Sequence, residues 1–245
     1  MIPPGRFSRL DKTRHLRDAL RSEVLSGAFR DGRLPSETEL MTHYSSPRQT
    51  VRDALGLLRD EGLIDRLQGT GTFVVIRREA MPLLEAQGVN GNLHRLVVRE
   101  LRREVVPLPP PVARKLEQEP GAPGLLVDYL IFGEGQPWSL GTNYVRFPQA
   151  EALRDIPLHW HWYELLERAG LTIGSSSFLI EAMVADESVA MHLECSPGSP
   201  VLAFEQVIRD EEGIPFDVAF GRSRGDRFAL FSEASRGSGF GARLP

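Results

Sequence analysis

Residues 34–64 read LPSETELMTHYSSPRQTVRDALGLLRDEGLI, and this stretch predicts two short helices joined by a tight turn. Its first signal is a pair three residues apart. The Ser36 side chain can cap the backbone N–H of Glu39, while the Glu39 carboxylate accepts a hydrogen bond from the N–H of Ser36. The first helix is therefore expected to begin at Ser36 and to end near Tyr44. Two helices this close in sequence are typical of a helix-turn-helix.

A second helix start follows shortly afterwards. We expect Ser46 to cap it, Pro47 to occupy its first position, where an N–H would be unpaired anyway, and Asp60 to lie near its end. Apolar residues at helical spacing predict its buried face: Val51, Ala54, Leu55 and Leu58. The residues left outside are basic or polar: Arg48, Gln49, Arg52 and Arg59. Arginine can form paired hydrogen bonds with guanine and glutamine with adenine, so this face suits the major groove of DNA.

The flanking segments complete the predicted fold. Another helix is expected over residues 10–25, where apolar residues repeat every fourth position. Residues 64–67 and 72–76 are expected to form two short strands joined by QGTG, whose glycines permit the positive φ of a hairpin turn. Such a hairpin forms a wing beside the helices, and Gly69 would let its backbone approach DNA closely.

Four segments in this order resemble the winged-helix domain of GntR-type transcriptional regulators: LPSE at 34–37, RQTVRDAL at 48–55, LRDEGLI at 58–64 and GTGTFV at 69–74. The resemblance implies that double-stranded operator DNA is a partner. The residues that it implies in DNA binding are Arg48, Gln49, Thr50, Arg52, Gly69 and Thr70. Two departures bear on base preference: Thr38 stands where many members have a DNA-contacting arginine, and Ser46 and Pro47 replace the usual Val-Ser.

The charge is divided unevenly along the chain. Residues 1–78 carry 14 Lys and Arg against 10 Asp and Glu, a net charge of +4, whereas the remainder carries 15 against 23, a net charge of −8. The whole-chain charge of −4 therefore hides a basic N-terminal region of the kind that binds nucleic acid. The composition, 41% hydrophobic and 25% charged, argues against a disordered chain.

Membrane insertion, secretion and an intrachain disulfide are not expected. No apolar run approaches the roughly 18 residues of a membrane-spanning helix, the N-terminus lacks the apolar core of a signal peptide, and Cys195 is the only cysteine. We therefore expect a cytoplasmic protein. The expected domains are a winged helix-turn-helix over 1–76, a linker without sustained periodicity over 77–92, a second domain over 93–235 and a glycine-rich mobile tail over 236–245.

From residue 125 onward the periodicity favours antiparallel strands. They are expected over 125–132, 138–147, 178–185, 201–209 and 215–221, with hairpin turns at 134–137 and 210–213. Shorter helices are expected at 111–116, at about 160–169 and at 187–193. The predicted fold class is therefore α+β, with an N-terminal winged helix-turn-helix domain followed by an antiparallel sheet with flanking helices.

The C-terminal region resembles the UTRA domain of the HutC branch of this family, over roughly residues 93–232. The resemblance rests on an ordered set of segments: VARKL at 112–116, GQP at 135–137, ADESVA at 185–190, GSP at 198–200, GIP at 213–215 and RGDRF at 224–228. It implies a chorismate lyase-like fold, a small-molecule effector and a homodimer.

Several expected effector-binding positions differ from those of sugar-phosphate-binding members. Tyr129 and Ile131 stand where such members carry two arginines, and Gly141 stands where they carry a glutamate. Asp217 and Ser223 fall at two further pocket positions. Since neutral side chains would leave a phosphate without a partner in a partly desolvated cavity, a non-phosphorylated and more apolar effector is expected.

Other readings of these residues stay open. Ser177, in a run of three serines, is a candidate hydrogen-bond donor to the effector, although such a run is also typical of a solvated turn. A shifted alignment would instead bring Arg146 or Arg209 into the pocket. His159 and His161 could share a face, but they offer two ligands where a metal site normally needs three, so no metal and no other cofactor is expected.

The leading functional hypothesis is a DNA-binding repressor without catalytic activity. Two winged helices of a homodimer would read a palindromic operator, and a small-molecule effector would release them. Two alternatives remain: an enzyme of chorismate lyase-like fold whose winged helix tethers it to DNA, and a regulator that binds no effector. Fold alone does not separate them.

Overall fold

The computed structural model divides into two compact units, a head (residues 1–77) and a body (residues 78–245). The residues that the structure describes are 8–29, 31–75, 79–83, 97–159 and 161–232. The boundaries expected at 76, 92 and 235 stay predictions, and the expected mobile tail at 236–245 lies outside the described residues.

The head is a three-helix domain with one hairpin. Its elements are α1 (Arg9–Leu25), α2 (Glu37–His43), α3 (Arg48–Asp60), β1 (Ile64–Leu67) and β2 (Gly71–Val74). The two strands pair antiparallel, from Ile64 opposite Val74 to Leu67 opposite Gly71. The order of elements matches the predicted winged helix-turn-helix.

The head core forms where the apolar stripes of the helices meet. Leu20 of α1, Leu40 of α2 and Leu58 of α3 are each at most 1% exposed, and they belong to one cluster with Leu63 and Ile64. Burial of each such side chain contributes roughly 1.5–3 kcal/mol to folding. The helical spacing of these residues is therefore the reason that the three helices pack together.

The helix starts confirm one capping prediction and correct another. Ser36 accepts a hydrogen bond from the N–H of Glu39 at 3.3 Å, and the Glu39 carboxylate accepts one from the N–H of Ser36 at 2.7 Å, so the predicted capping box is present. The prediction for α3 is wrong by one position. Pro47 is the cap residue and makes no capping bond, whereas the Ser46 hydroxyl donates to the carbonyl of Tyr44.

The body is built on a six-stranded antiparallel sheet. Its strands are β4 (Val97–Pro107), β5 (Pro123–Gly133), β6 (Gln136–Arg146), β7 (Ser175–Val184), β8 (Pro200–Arg209) and β9 (Pro215–Arg224). They lie in the order β4-β5-β6-β9-β8-β7. A separate pair of short strands, β3 (Glu79–Pro82) and β10 (Phe228–Phe231), runs parallel. The helices are α4 (Pro110–Lys115), α5 (Trp162–Arg168) and α6 (Glu187–Leu193), with a 3₁₀ turn at Gln149–Leu153.

Helices cover both faces of the sheet. Val207 and Val218 are directly opposite each other and pack against α4, whereas the next pair, Ile208 and Asp217, points to the other face because side chains alternate along a strand. That second face packs against α5, whose Leu165 is fully buried there. No helix in the described part of the chain is long and apolar enough to cross a bilayer.

Three strands were not anticipated: β3, β4 and β10. The segment VVRELRREVVP forms β4, but its five charged residues obscure the alternation that would have predicted it, and an edge strand tolerates them because one side faces solvent. The strand β3 lies inside the expected linker, at residues 79–82. Its partner β10 is far away in sequence, so no pattern within residues 79–82 could have predicted the pairing.

Candidate DNA interface and ligand cavity

The exposed face of α3 carries the predicted base-reading side chains. Arg48 and Arg52 are 69% and 50% exposed, and Gln49 is also exposed. The opposite face of the helix is buried in the head core, as its apolar spacing predicts. This separation presents two guanidinium groups and one amide to solvent from a single short helix.

One carboxylate forms ion pairs with both Arg48 and Arg52. Glu37, in the first turn of α2, has one oxygen 3.4 Å from Nε of Arg48 and the other 3.4 Å from Nε of Arg52. Glu37 itself is only 24% exposed, so its position is set by the packing of α2 on α3. Each ion pair is exposed and contributes little stability, but together they place the two guanidinium groups side by side.

A second acid, Asp53, engages the neighbouring polar side chain. The Gln49 amide donates to Asp53 at 2.7 Å, and Arg9 of α1 donates to the same carboxylate at 2.6 Å. The hydrogen bond from Arg9, and to a lesser extent that from Gln49, lowers the pKa of Asp53. Gln49 must therefore exchange a hydrogen bond within the helix for one to a base if it reads DNA.

Thr50 is placed differently from its neighbours. Thr50 is only 4% exposed and lies among the core-facing positions of α3. Its side chain therefore does not lie on the surface with Arg48 and Arg52. The two wing positions, in contrast, are exposed. Gly69 has φ of +78° with nothing within 4 Å of an added Cβ, so the turn requires glycine for its backbone conformation. The Thr70 N–H donates to the Leu67 carbonyl and closes the turn.

Two further arginines belong to the same surface. Arg33 and Arg66 line the concavity between the start of α3 and the wing, together with Arg48, Arg52 and Gly69. The sequence offered only their charge as a signal, whereas their placement depends on the hairpin and on the pairing of Arg33 with Phe73 of β2. The concavity therefore carries four arginines against three acidic residues, Asp31, Glu37 and Glu39.

A cavity of about 110 Å³ lies on the α5 face of the body sheet. Eight aromatic residues line it: Tyr129, Trp138, Trp162, Tyr163, Phe178, Phe204, Phe220 and Phe228. The remaining lining residues are Ile131, Ser139, Gly141, Asn143, His161, Gln206, Ala219, Gly221 and Ser223. The wall is thus largely apolar, with a few polar groups that can orient a ligand, which is the usual composition of a small-molecule site.

Four of the six predicted effector positions line this cavity: Tyr129, Ile131, Gly141 and Ser223. Ser177 does not. It is exposed and paired with Val207, which packs on the α4 side, while the next residue, Phe178, lines the cavity. The serine run also forms the start of β7 instead of a turn. A difference of one residue along the strand therefore exchanges a predicted hydrogen-bond donor for an aromatic ring.

The sixth position, Asp217, lies beneath the cavity wall and is fully buried. Asn143 donates to both of its oxygens at 2.9 and 2.8 Å, and Trp162 Nε1 donates at 2.6 Å. Tyr129 in turn donates to the Asn143 carbonyl at 3.1 Å. Burial raises the pKa of Asp217 to about 7, although the hydrogen bonds from Asn143 and Trp162 oppose that shift.

The aromatic wall is ordered by this buried network. The rings of Tyr129 and Trp162 lie 5.8 Å apart and are nearly parallel, at 3°, and both belong to side chains that the Asn143–Asp217 pair anchors. Burial also raises the pKa of Tyr129, so its hydroxyl stays protonated and remains a donor. Asp217 therefore helps to position Tyr129 and Trp162, which form part of the cavity wall, without lining the cavity itself.

Neither Arg146 nor Arg209 enters the cavity. Arg146 donates to the Leu116 carbonyl at 3.2 Å, and Arg209 lies 3.5 Å from the Gly213 carbonyl and 3.8 Å from Glu117. Among the described residues, no lysine or arginine lines the wall. The alternative alignment that would supply a cation is thus not supported by the geometry.

His161 lines the cavity, whereas His159 is exposed. Burial lowers the pKa of His161 to about 4, so its ring is neutral at neutral pH. Within the described parts of the chain, no three His, Cys, Asp or Glu side chains lie close enough together to share a metal ion. Sequence reasoning did not single out Trp138, Asn143 or Gln206, because an apolar strand pattern does not say which of its members face a cavity.

Known proteins resemble both units. Residues 12–74 match the family described as bacterial regulatory proteins, gntR family, and residues 93–229 match the UTRA domain. The HTH-type transcriptional regulator GmuR of Bacillus subtilis is 26% identical over 233 residues, which cover 91% of this chain and 98% of GmuR. The HTH-type transcriptional regulator Rv0792c of Mycobacterium tuberculosis is 29% identical over 246 residues, covering 92% and 88% of the two chains.

Solved structures share the fold. PhnF from Mycobacterium smegmatis has a TM-score of 0.62 at 20% identity, covering 90% of this chain and 99% of PhnF. YydK from Bacillus subtilis, described as a possible transcriptional regulator, has a TM-score of 0.55 at 20% identity, covering 91% of this chain and 99% of YydK. At this identity the likeness concerns the architecture, a winged helix followed by an antiparallel sheet with helices.

Proposed function

The chain belongs to the gntR family of bacterial regulatory proteins and carries a UTRA domain, and from that premise we propose that it is a repressor released from a palindromic operator by a small molecule. As a member, it is a transcriptional regulator with a DNA-binding head and an effector-binding body. The relatives are named as transcriptional regulators, so the function is regulatory and no catalytic role is proposed for the body.

The observation that supports DNA reading most directly is the placement of Arg48 and Arg52. Both are exposed on α3, both are oriented by Glu37, and both line the concavity that the wing completes. Arginine in this position can donate two hydrogen bonds to guanine or neutralise a phosphate. Gln49, Gly69 and the exposed Thr70 are proposed to contact the same DNA. For Thr50, the 4% exposure of the residue argues against a side-chain contact.

A homodimer follows from the size of this interface. One recognition helix of 13 residues reads too few base pairs for useful specificity, and a second copy supplies a second half-site related by two-fold symmetry. We expect the body to provide the main contact between protomers. Sedimentation of the full chain at micromolar concentration tests the dimer directly, and a monomer there would contradict it.

The proposed effector is a non-phosphorylated small molecule bound in the body cavity. The cavity wall is largely aromatic and offers no lysine or arginine among the described residues. A phosphate placed there would lose its hydration without gaining a positive partner, which costs several kcal/mol. The body resembles the effector-binding part of its relatives, but its wall is suited to an uncharged ligand.

Selection from a random DNA library tests the function. The full chain should enrich a sequence with two inverted half-sites, whose occupancy falls on addition of the effector. Enrichment of a site without inverted symmetry would contradict the palindromic operator, and no enrichment at moderate salt would contradict sequence-specific binding. Sequencing the bound genomic fragments then identifies the regulated genes.

A further inference from the structure

Three polar atoms of the cavity wall are buried without a hydrogen-bond partner. They are Trp138 Nε1, Gln206 Nε2 and His161 Nδ1, and all three residues line the cavity. A buried donor without an acceptor is unfavourable, so native proteins seldom retain one without a reason. Three such atoms in one wall indicate that a partner is supplied from outside the chain.

The indole of Trp138 is fixed in place. The residue is 4% exposed, and its ring lies against Gly133, where an added Cβ would overlap the ring. An indole N–H can only donate a hydrogen bond. The Trp138 N–H therefore requires a hydrogen-bond acceptor on whatever molecule occupies the cavity.

The amide of Gln206 is also oriented. Its Oε1 accepts a hydrogen bond from the Tyr163 hydroxyl at 2.7 Å, which leaves Nε2 as the group without a partner. Gln206 is 6% exposed, so bulk solvent has little access to it. Gln206 Nε2 is therefore a second hydrogen-bond donor without an acceptor.

The other polar groups of the wall already have partners. The Ser223 hydroxyl donates to that of Ser139 at 2.7 Å, and Ser139 donates to the Arg222 carbonyl at 3.3 Å. Asn143 is engaged by Asp217 and Tyr129. Among the described lining residues, the unused groups are therefore two obligate donors and one neutral imidazole nitrogen, which can donate or accept according to its tautomer.

We infer that the cavity ligand is an uncharged ring compound with carbonyl-type oxygen, such as an amide, ketone or lactone, whose acceptor atoms pair with Trp138 Nε1 and Gln206 Nε2. This inference rests on the proposed effector site and adds the chemical class of its ligand. A cavity of about 110 Å³ accommodates roughly one six-membered ring. The remaining wall is aromatic, and Phe178 and Phe204 stack at 5.3 Å to form a flat apolar surface for such a ring.

Two related ligand classes fit less well. A carboxylate would accept from both donors, but it would bring a negative charge close to the buried Asp217 with no described cation in the wall to offset it. A hydrocarbon would fill the space but leave both donors unpaired. Of these three classes, the carbonyl compound satisfies the donors without introducing a charge.

The test follows the indole N–H of Trp138 by NMR in the full chain labelled with ¹⁵N-tryptophan, without DNA. Acetophenone, benzamide and caprolactam are the carbonyl probes, toluene is the hydrocarbon control and benzoate is the acid control. The Trp138→Phe variant assigns the resonance. The carbonyl probes should shift it downfield in a saturable way, whereas toluene should not, and benzoate should bind more weakly than benzamide at neutral pH.

Two variants test the contribution of the Gln206 Nε2 donor to ligand binding. Gln206→Leu removes Nε2 and should weaken the carbonyl probes by roughly two- to tenfold, the value of one net hydrogen bond, while toluene, which uses no donor, should lose less affinity. Tyr163→Phe removes the hydroxyl that orients Gln206 but keeps Nε2, so it should weaken the carbonyl probes by less than Gln206→Leu does.

Two results would overturn the inference: no shift of the Trp138 resonance with any carbonyl probe at millimolar concentration, or equal affinity for benzoate and benzamide. Both are measured on cavity binding alone. A failure of the proposed function would appear elsewhere, as absence of operator selection or of release from DNA, and so the two failures are distinguishable.

Discussion

The ring of Tyr129 occupies the space next to Gly141 on the neighbouring strand. The two residues are directly opposite each other in the β5–β6 register, and a Cβ added at Gly141 would lie 2.5 Å from Cζ of Tyr129. The two substitutions noted in the sequence are therefore physically coupled, because glycine at 141 makes room for the aromatic ring at 129. The same ring then reaches Asn143 and stacks on Trp162.

Gly141→Ala should displace the Tyr129 ring. The buried ring has little space to move, so we expect a loss of roughly 1–3 kcal/mol in the free energy of unfolding of the body. Gly221→Ala is the matched control, since Gly221 lies opposite Gly141 in the same sheet, but an added Cβ there meets only Phe204, at 3.1 Å. Urea unfolding followed by tryptophan fluorescence measures both. Equal losses in the two variants would contradict the coupling.

Arg48→Ala and Arg52→Ala should each weaken operator binding by roughly 1–3 kcal/mol, the value of a paired contact to a base. Arg59→Ala, which removes a charge from the last turn of the same helix, should have a smaller effect. Fluorescence anisotropy at one fixed salt concentration gives the affinities. Unchanged operator affinity in both of the first two variants would exclude these arginines from base recognition.

Glu37→Gln tests whether the shared carboxylate positions the two arginines. Removal of a negative charge from the concavity should raise affinity for non-specific DNA, while loss of the common partner should lower the ratio of operator to non-specific affinity. Asp31→Asn removes the same charge from the same concavity, but no described ion pair links Asp31 to either arginine. It should therefore raise non-specific affinity without changing the ratio. A parallel response in the two variants would mean that Glu37 acts through charge alone.

The head could be predicted almost completely because its signals are local. The Ser36 capping box and the apolar spacing of α3 specify helices within a few residues of sequence. The body was predicted less fully, since β3 depends on a distant partner and the charges of β4 mask its alternation. At the cavity, the family resemblance indicated the correct strands. It could not show that Phe178 faces the cavity in place of Ser177, or that Trp138 lacks an acceptor, because both depend on three-dimensional placement.

The buried Asp217 should make the stability of the body depend on pH. Its pKa is about 7 in the folded protein against 3.8 ordinarily, so between these values the folded state binds a proton that the unfolded state has released. The contribution of Asp217 to stability should therefore be most favourable below about pH 4, fall as the pH rises to about 7, and level off above that, by a total on the order of a few kcal/mol. Asp217→Asn should lack this decline. Urea midpoints of the two proteins from pH 4 to 8 measure the difference, and a wild-type protein that gains stability over this range relative to the variant would show that Asp217 is ionised throughout.

Phosphorylated sugars should neither stabilise the protein nor release it from DNA. The positions that would hold a phosphate carry Tyr129 and Ile131, Arg146 and Arg209 are bonded elsewhere, and the wall is largely aromatic. A ligand at a hundredfold its dissociation constant stabilises the folded state by about 2.7 kcal/mol, which gives a clear rise in melting temperature. Glucosamine-6-phosphate should therefore leave the melting temperature unchanged at millimolar concentration, whereas uncharged compounds that bind the cavity should raise it and lower operator occupancy. If glucosamine-6-phosphate raises the melting temperature and releases the operator while the uncharged compounds do neither, then the phosphate is neutralised by groups that this cavity wall does not present, and the effector is an anion.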